Sequence, residues 1–180
     1  SLLGGDAEVE FSYRFADAEE RAWMEAAAEA VSEIVEFRSM VATAPPAGAE
    51  PERALVQVKA VDALYPLYGA VRLDGGGGLP EALAPEDGLP GMAAHAVLMD
   101  RLGLAVGDVL RLGAQDFQVA ARLEAEPDGG ASSFAFGPPV IVARDALAAS
   151  GLLAEGTIFD SAYRLRLAEE ADLDALRTEA

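Results

Sequence analysis

Arg101-Leu-Gly-Leu-Ala-Val-Gly-Asp-Val-Leu-Arg-Leu-Gly113 packs a helix end, a bend and a strand start into one short stretch. Gly103 closes the apolar turn Val97 to Leu102, because glycine accepts the left-handed backbone at a helix end without steric cost. Gly107-Asp108 predicts a bend, since an aspartate carboxylate can accept nearby backbone N–H groups. Val109 to Leu112 and Phe117 to Leu123 then read as two strands joined by a tight Gly113-Ala-Gln-Asp116 turn. Such a segment enters a small β-barrel. It speaks of architecture rather than chemistry.

Upstream, Ala7, Val9, Phe11, Tyr13 and Phe15 alternate with Glu8, Glu10, Ser12 and Arg14, the period of a half-buried strand. Asp17 and Glu20 form a capping box that opens a helix, with Trp23, Ala27, Ala30, Val31 and Ile34 as its apolar stripe. Val35 to Ala42 alternates again, Pro45-Pro-Ala-Gly48 is a loop, and Leu55 to Val61 is a third strand. The first third is therefore expected to run strand, helix, strand, strand. From Tyr65 to Gly91 prolines and the Gly75 to Gly78 run predict a long irregular excursion. Further on, Pro127-Asp-Gly-Gly130 is a turn, Val140-Ile-Val142 a short buried strand, and a helical turn runs from Asp145 to Gly151. Ile158 to Leu167 reads as a strand with Ile158, Tyr163, Leu165 and Leu167 apolar. A helix is expected from about Glu169 to the end, where it stops without a cap, as in a trimmed unit. The start at Ser1 without methionine reads the same way. The fold class is α+β.

Composition narrows the chemistry. Cysteine is absent from the 180 residues, which removes disulfides, thiolate nucleophiles and cysteine-based zinc sites. With His95 as the one histidine, a site of two imidazoles is excluded too. A net charge of -18 argues against nucleic acid and against docking on anionic lipid by charge. The uncharged run Ala131 to Ala143 contains Pro138-Pro139 and falls short of the roughly 20 residues that cross a bilayer. No signal peptide is visible. Arginine outnumbers lysine twelve to one and alanine is abundant. The acidity thus fits a GC-rich coding sequence, a salt-adapted surface, or a patch that meets a basic partner.

No catalytic, cofactor or metal site emerges. His95 lies in an apolar setting with no nucleophile elbow to serve, so it reads as structural. Gly75 to Gly78 is followed by Leu79-Pro-Glu81 rather than a basic helix start, so it is a loop, not a phosphate cradle. Glu19/Glu20 and Glu169/Glu170 lie near helix starts, where the macrodipole accounts for them. Asp87 and Asp128 stand outside any calcium-loop array. From the residues alone the chain is an acidic, soluble, non-enzymatic α+β domain.

Four stretches carry a resemblance: Leu2-Leu-Gly-Gly-Asp6; Lys59-Ala-Val-Asp-Ala-Leu-Tyr-Pro-Leu-Tyr-Gly69, the most specific; Leu102-Gly-Leu-Ala-Val-Gly-Asp108; and Phe117-Gln-Val-Ala-Ala-Arg-Leu123 running into Glu126-Pro-Asp128. In order and spacing they resemble the extracytoplasmic domain of FtsX-like, MacB-type ABC transporter permeases, most nearly the YbbP-like branch. The resemblance implies a periplasmic domain between two membrane helices of an inner-membrane permease. It implies two lobes: a discontinuous βαβ-type membrane-proximal lobe from residues 1–64 plus 156–180, and an inserted β-rich, barrel-like lobe from 65–155. The family has a further strand after the last helix, so the first lobe is expected to be truncated at its C-terminus. A hinge is expected where the chain crosses between lobes, at Tyr65-Pro66 and Glu155-Gly156.

The implied function is non-enzymatic. A separate cytoplasmic ATPase hydrolyses ATP, and the permease transmits the change to its periplasmic domains, which handle a hydrophobic or lipid-like substrate or a periplasmic protein. No cofactor is implied, and the isolated domain is expected to be monomeric. Two alternatives stand beside it: a stand-alone ligand- or protein-binding β-barrel module, and a hydrolase built on carboxylates.

Overall fold

The computed structural model describes residues 6–45, 47–126, 137–153 and 158–167. The first strand, β1 (Ala7–Ser12), leads into helix α1 (Ala18–Ala27) through the expected capping box. Asp17 Oδ1 accepts from the Glu19 and Glu20 N–H groups at 2.9 Å, and Glu20 Oε2 accepts from Asp17 N–H at 2.8 Å. The helix is shorter than its apolar stripe suggested. It ends at Ala27, and Ala30, Val31 and Ile34 belong instead to strand β2 (Ala30–Thr43). The β-branched Val31, Ile34 and Val35 pack well on a pleated surface and poorly against a helical turn. Pairing on both edges of β2 decides the outcome.

β2 is the organising strand. On one edge it pairs along most of its length with antiparallel β3 (Arg53–Val61), from Ile34↔Val61 to Ala42↔Arg53. The other edge is divided. β9 (Asp160–Arg166) takes Ala30 to Glu36, and β6 (Val109–Leu112) takes Val41 to Thr43. The first half of β2 thus lies in an open sheet in the order β1-β9-β2-β3, and its second half closes a ring. That ring continues from β3 to parallel β8 (Pro139–Ala143), to β5 (Gly91–His95), to β7 (Gln115–Ala125) and through β6 back to β2. It is a closed six-stranded barrel within a nine-stranded sheet, and the fold is α+β.

Three apolar clusters follow from this layout. Phe37, Val58, Met92, Leu110, Phe117 and Val142 fill the barrel, with Leu98 and Met99 of helix α3 (Ala96–Leu102) packed against them. Helix α2 (Leu79–Leu83) covers a second cluster on the outer face, built on Ile34, Val61, Tyr65, Ala93, Leu123 and Ile141. Beneath α1, Met24 packs on Tyr163 and Leu165.

The bend read from Gly103 to Asp108 forms as expected. Gly103 takes φ 61°, and Asp108 Oδ2 accepts from Ala105 N–H at 2.8 Å just before β6 begins. The excursion from Tyr65 to Gly91 is less irregular than predicted, since it holds α2 and a two-residue strand, β4 (Arg72–Leu73). β5 was hidden because it is buried on both faces, and Gly-Met-Ala-Ala-His carries no alternation. Gly91 is required there: a Cβ would lie 1.9 Å from the Ala82 carbonyl oxygen of α2. Ile158 is 73% exposed and stands outside the core that Tyr163 and Leu165 enter. The expected C-terminal helix and the turn at 127–130 lie outside the described residues.

Candidate functional site

β3 and β8 run side by side in parallel register and end together at Val61↔Ala143. Chains leaving the carboxyl ends of neighbouring parallel strands diverge, and the crevice between them is where open sheets bind ligands. Here the exits are Asp62 to Tyr65 on one side and Arg144 to Ala146 on the other. Between them lies a cavity of about 710 Å³, walled also by α2 and the segment up to Pro90. That volume is in the range of small-molecule sites. Its walls are mostly apolar, from Val61, Tyr65, Leu79, Leu83, Ala143 and Ala146, and a few polar groups converge on it.

The polar end is held by charge. Asp62 is fixed by β2 and its own loop: Oδ1 accepts from Ser32 Oγ at 2.9 Å and Leu64 N–H at 3.0 Å, and Oδ2 accepts from Glu33 N–H at 2.7 Å. Glu33, on β2, is buried, and its Oε2 accepts from Arg21 Nη2 of α1 at 3.0 Å. This partner holds the Arg21 guanidinium above its ordinary pKa. Arg21 also lies over the Tyr163 ring, and burial pushes the Tyr163 phenol up. Glu33 Oε1 lies 3.1 Å from Arg144 Nη2, close enough for charge attraction but not aligned for a hydrogen bond. Arg144 Nε is buried with no hydrogen-bond partner among the described residues, and the guanidinium sits 5.4 Å from the Phe15 ring centre.

A buried cation stands on the outer barrel face. Lys59, the single lysine, pairs with Glu126, lies 3.5 Å from Glu36 and 5.6 Å from the Tyr65 ring centre. His95 is the N-cap of α3: its Nδ1 accepts from Val97 N–H at 3.2 Å, and burial pushes its pKa down against the pull of Glu126. Of the hinge residues, Tyr65 is buried in the cavity wall and Pro66 follows through a cis peptide. Glu155 and Gly156 lie outside the described residues, as do Asp128, Glu169 and Glu170. Gly75 to Gly77 take positive φ in a loop with open space around them, and Asp87 sits in the turn between Glu86 and Leu89. Among the described residues no group of three His, Cys, Asp or Glu side chains could hold a metal ion. No helix among them is long and apolar enough to cross a membrane.

Glu33 and Arg144 were not singled out in the sequence. Glu33 falls in the stretch read as a helix, off its apolar stripe like any solvent-facing acid, and Arg144 follows a short strand like any exit residue. The registers Ile34↔Val61 and Val61↔Ala143, which run from β2 across β3 to β8, bring them together.

The barrel grafted on an open sheet through the shared β2–β3 ribbon defines the class. The chain has the fold of the extracytoplasmic domains of MacB-type, FtsX-like ABC transporter permeases, regions that are periplasmic or extracellular. The periplasmic region of MacB from Actinobacillus actinomycetemcomitans superposes with a TM-score of 0.60 at 8% identity, over 99% of this chain and 82% of that one. The extracellular domain of the ABC-type transporter YknZ from Gram-positive bacteria gives 0.54 at 12% identity, over 96% and 88%. In sequence, the chain is 33% identical over 88 residues to YbbP, an uncharacterized ABC transporter permease of Escherichia coli (strain K12). The match covers 49% of this chain and 10% of YbbP, so the chain spans a small part of that relative's length. These relatives are transport components rather than enzymes. No protein-family model matches the chain.

Proposed function

We propose that the chain is the periplasmic domain of an inner-membrane ABC transporter permease subunit. In this reading a separate cytoplasmic ATPase hydrolyses ATP, and the membrane helices carry the resulting motion outward. The domain is a moved part rather than a reacting one, and it serves export or extraction of a hydrophobic or lipid-like substrate. The observation that supports it best is the pairing of a near-complete fold match with a 33% sequence match to a permease.

The two-lobe division, 1–64 plus 156–180 against 65–155, belongs to the same proposal, with bending at Tyr65-Pro66 and Glu155-Gly156. Since β2 and β3 enter both the open sheet and the barrel, such a motion is a flexing of that ribbon rather than a free swing. The chain has no cysteine, so spin labels on Glu10→Cys and Glu86→Cys, both exposed positions, are unique within it. In the full permease with its ATPase, the label-to-label distance should differ between nucleotide-free and ATP-trapped states. Identical distance distributions would refute the coupling.

A further inference from the structure

We propose that the cavity at the joined ends of β3 and β8 binds a small hydrophobic organic cation. This goes beyond the permease reading and does not rest on it. The cavity is large enough for a compact organic molecule, and its walls are mostly apolar, so most of a ligand's area would be buried against carbon. Its charged groups are unbalanced: three carboxylates line it, Glu33, Asp62 and Asp145, against Arg144 in the lining and Arg21, which holds Glu33 Oε2 from α1. The field of the whole chain points the same way, with a net charge of -18.

The geometry around Glu33 says where a cationic head would go. Glu33 is 5% exposed and lines the cavity, and its Oε1 accepts no hydrogen bond from the described residues although a guanidinium lies 3.1 Å away. Among the described residues Arg144 Nε likewise finds no acceptor. An ion pair that leaves an acceptor and a donor unmatched on its two sides is poorly optimised. Arg144 therefore acts as an internal stand-in, resting against the carboxylate until a better-placed cation replaces it. A ligand anion would meet three carboxylates and would have only Arg144 to engage.

Tetraphenylphosphonium and tetraphenylborate separate charge from shape, being near-isosteric ions of opposite sign. Isothermal titration of the 180-residue chain should show saturable, one-to-one binding of the cation, and binding of the anion weaker by roughly tenfold or more. Ala84→Trp and Ala148→Trp place an indole in the cavity from exposed positions on separate walls without altering the net charge. Each should cut affinity for the cation about tenfold, with an unchanged far-ultraviolet circular dichroism spectrum showing that the fold is kept. Asp145→Lys, also at an exposed position, should weaken cation binding, and Arg144→Gln should tighten it by removing the competing charge. Equal affinity for the two ions would overturn the proposal. So would non-saturable uptake, or parental affinity in both tryptophan variants.

Discussion

Phe117→Ala should destabilise the chain in a way that is felt far from the barrel. Phe117 is fully buried among the strands that close the ring. It belongs to the apolar cluster that fills the barrel, so truncation loses both transfer free energy and the packing around the cavity left behind. Such changes cost about 3–5 kcal/mol. A chain of this length has roughly 5–15 kcal/mol to lose, so the midpoint should fall by on the order of 6–20 °C. The lone tryptophan, Trp23, sits on α1, packed on the cluster beneath that helix and away from the barrel interior. β2 and β3 run through both regions, and a strand cannot unfold at one end while its registered partners at the other stay native. Urea unfolding followed by Trp23 fluorescence and by far-ultraviolet circular dichroism should therefore shift together, with an unchanged slope against denaturant. If the dichroism transition moved while the Trp23 transition stayed at its parental midpoint, the shared-strand argument would fail. A shift below about 1 kcal/mol would equally contradict a packed barrel interior.

Three further outcomes follow from local geometry. Glu20 is pulled down to a pKa of about 2, first by its hydrogen bonds to Arg14 and then by the Asp17 N–H. Its contribution to stability is thus complete above the usual glutamate range and fades as pH falls through about 2; carboxyl NMR titration should show that midpoint, moving up in Arg14→Ala. Gly103→Ala forces a side chain into φ 61° where space is open, so it should cost about 1 kcal/mol in thermal denaturation, a purely backbone effect. Gly91→Ala is different in kind, because its Cβ meets the Ala82 backbone at 1.9 Å. It should cost more than Gly103→Ala and, by pushing α2 off β5, weaken tetraphenylphosphonium binding in the same titration.

The parts of the fold legible in the sequence are those decided by neighbours. The Asp17/Glu20 capping box, the Gly103 helix end and the hairpin from Val109 to Leu123 each close within a few residues. The parts that were not legible depend on distant partners. Ala30, Val31 and Ile34 satisfy helical and strand spacing alike, and only β9 and β3 resolve the choice. β7 shows a subtler limit. Phe117, Val119, Ala121 and Leu123 alternate without a break, which predicts one buried face. The register slips at Ala120, where Met92 faces Val119 but Ala93 faces Ala121. The extra residue turns Ala121 and Leu123 to the outer cluster, while Phe117 and Val119 stay inside the barrel. The cavity was out of reach for the same reason. Its polar end draws on β2, α1 and the exit of β8, which no spacing rule connects.

The placement of basic residues sharpens what the acidity can mean. Thirteen basic side chains stand against 31 acidic ones, and several of the basic ones are engaged by acids of their own chain. Arg14, Arg21, Arg111, Arg122 and Arg164 each hold a carboxylate within 3.0 Å, and Lys59 is buried between Glu126 and Glu36. A cation so engaged adds little field of its own, so acids set the surface potential. That potential is screened over about 8 Å at physiological ionic strength, whereas the Glu33 carboxylate acts on a ligand at contact. Salt therefore separates two kinds of cation binding. Attraction to the surface at large should vanish as ionic strength rises toward 1 M. A cation seated in the cavity should lose only the long-range part of its affinity, because apolar burial and a contact ion pair shielded from solvent are screened far less.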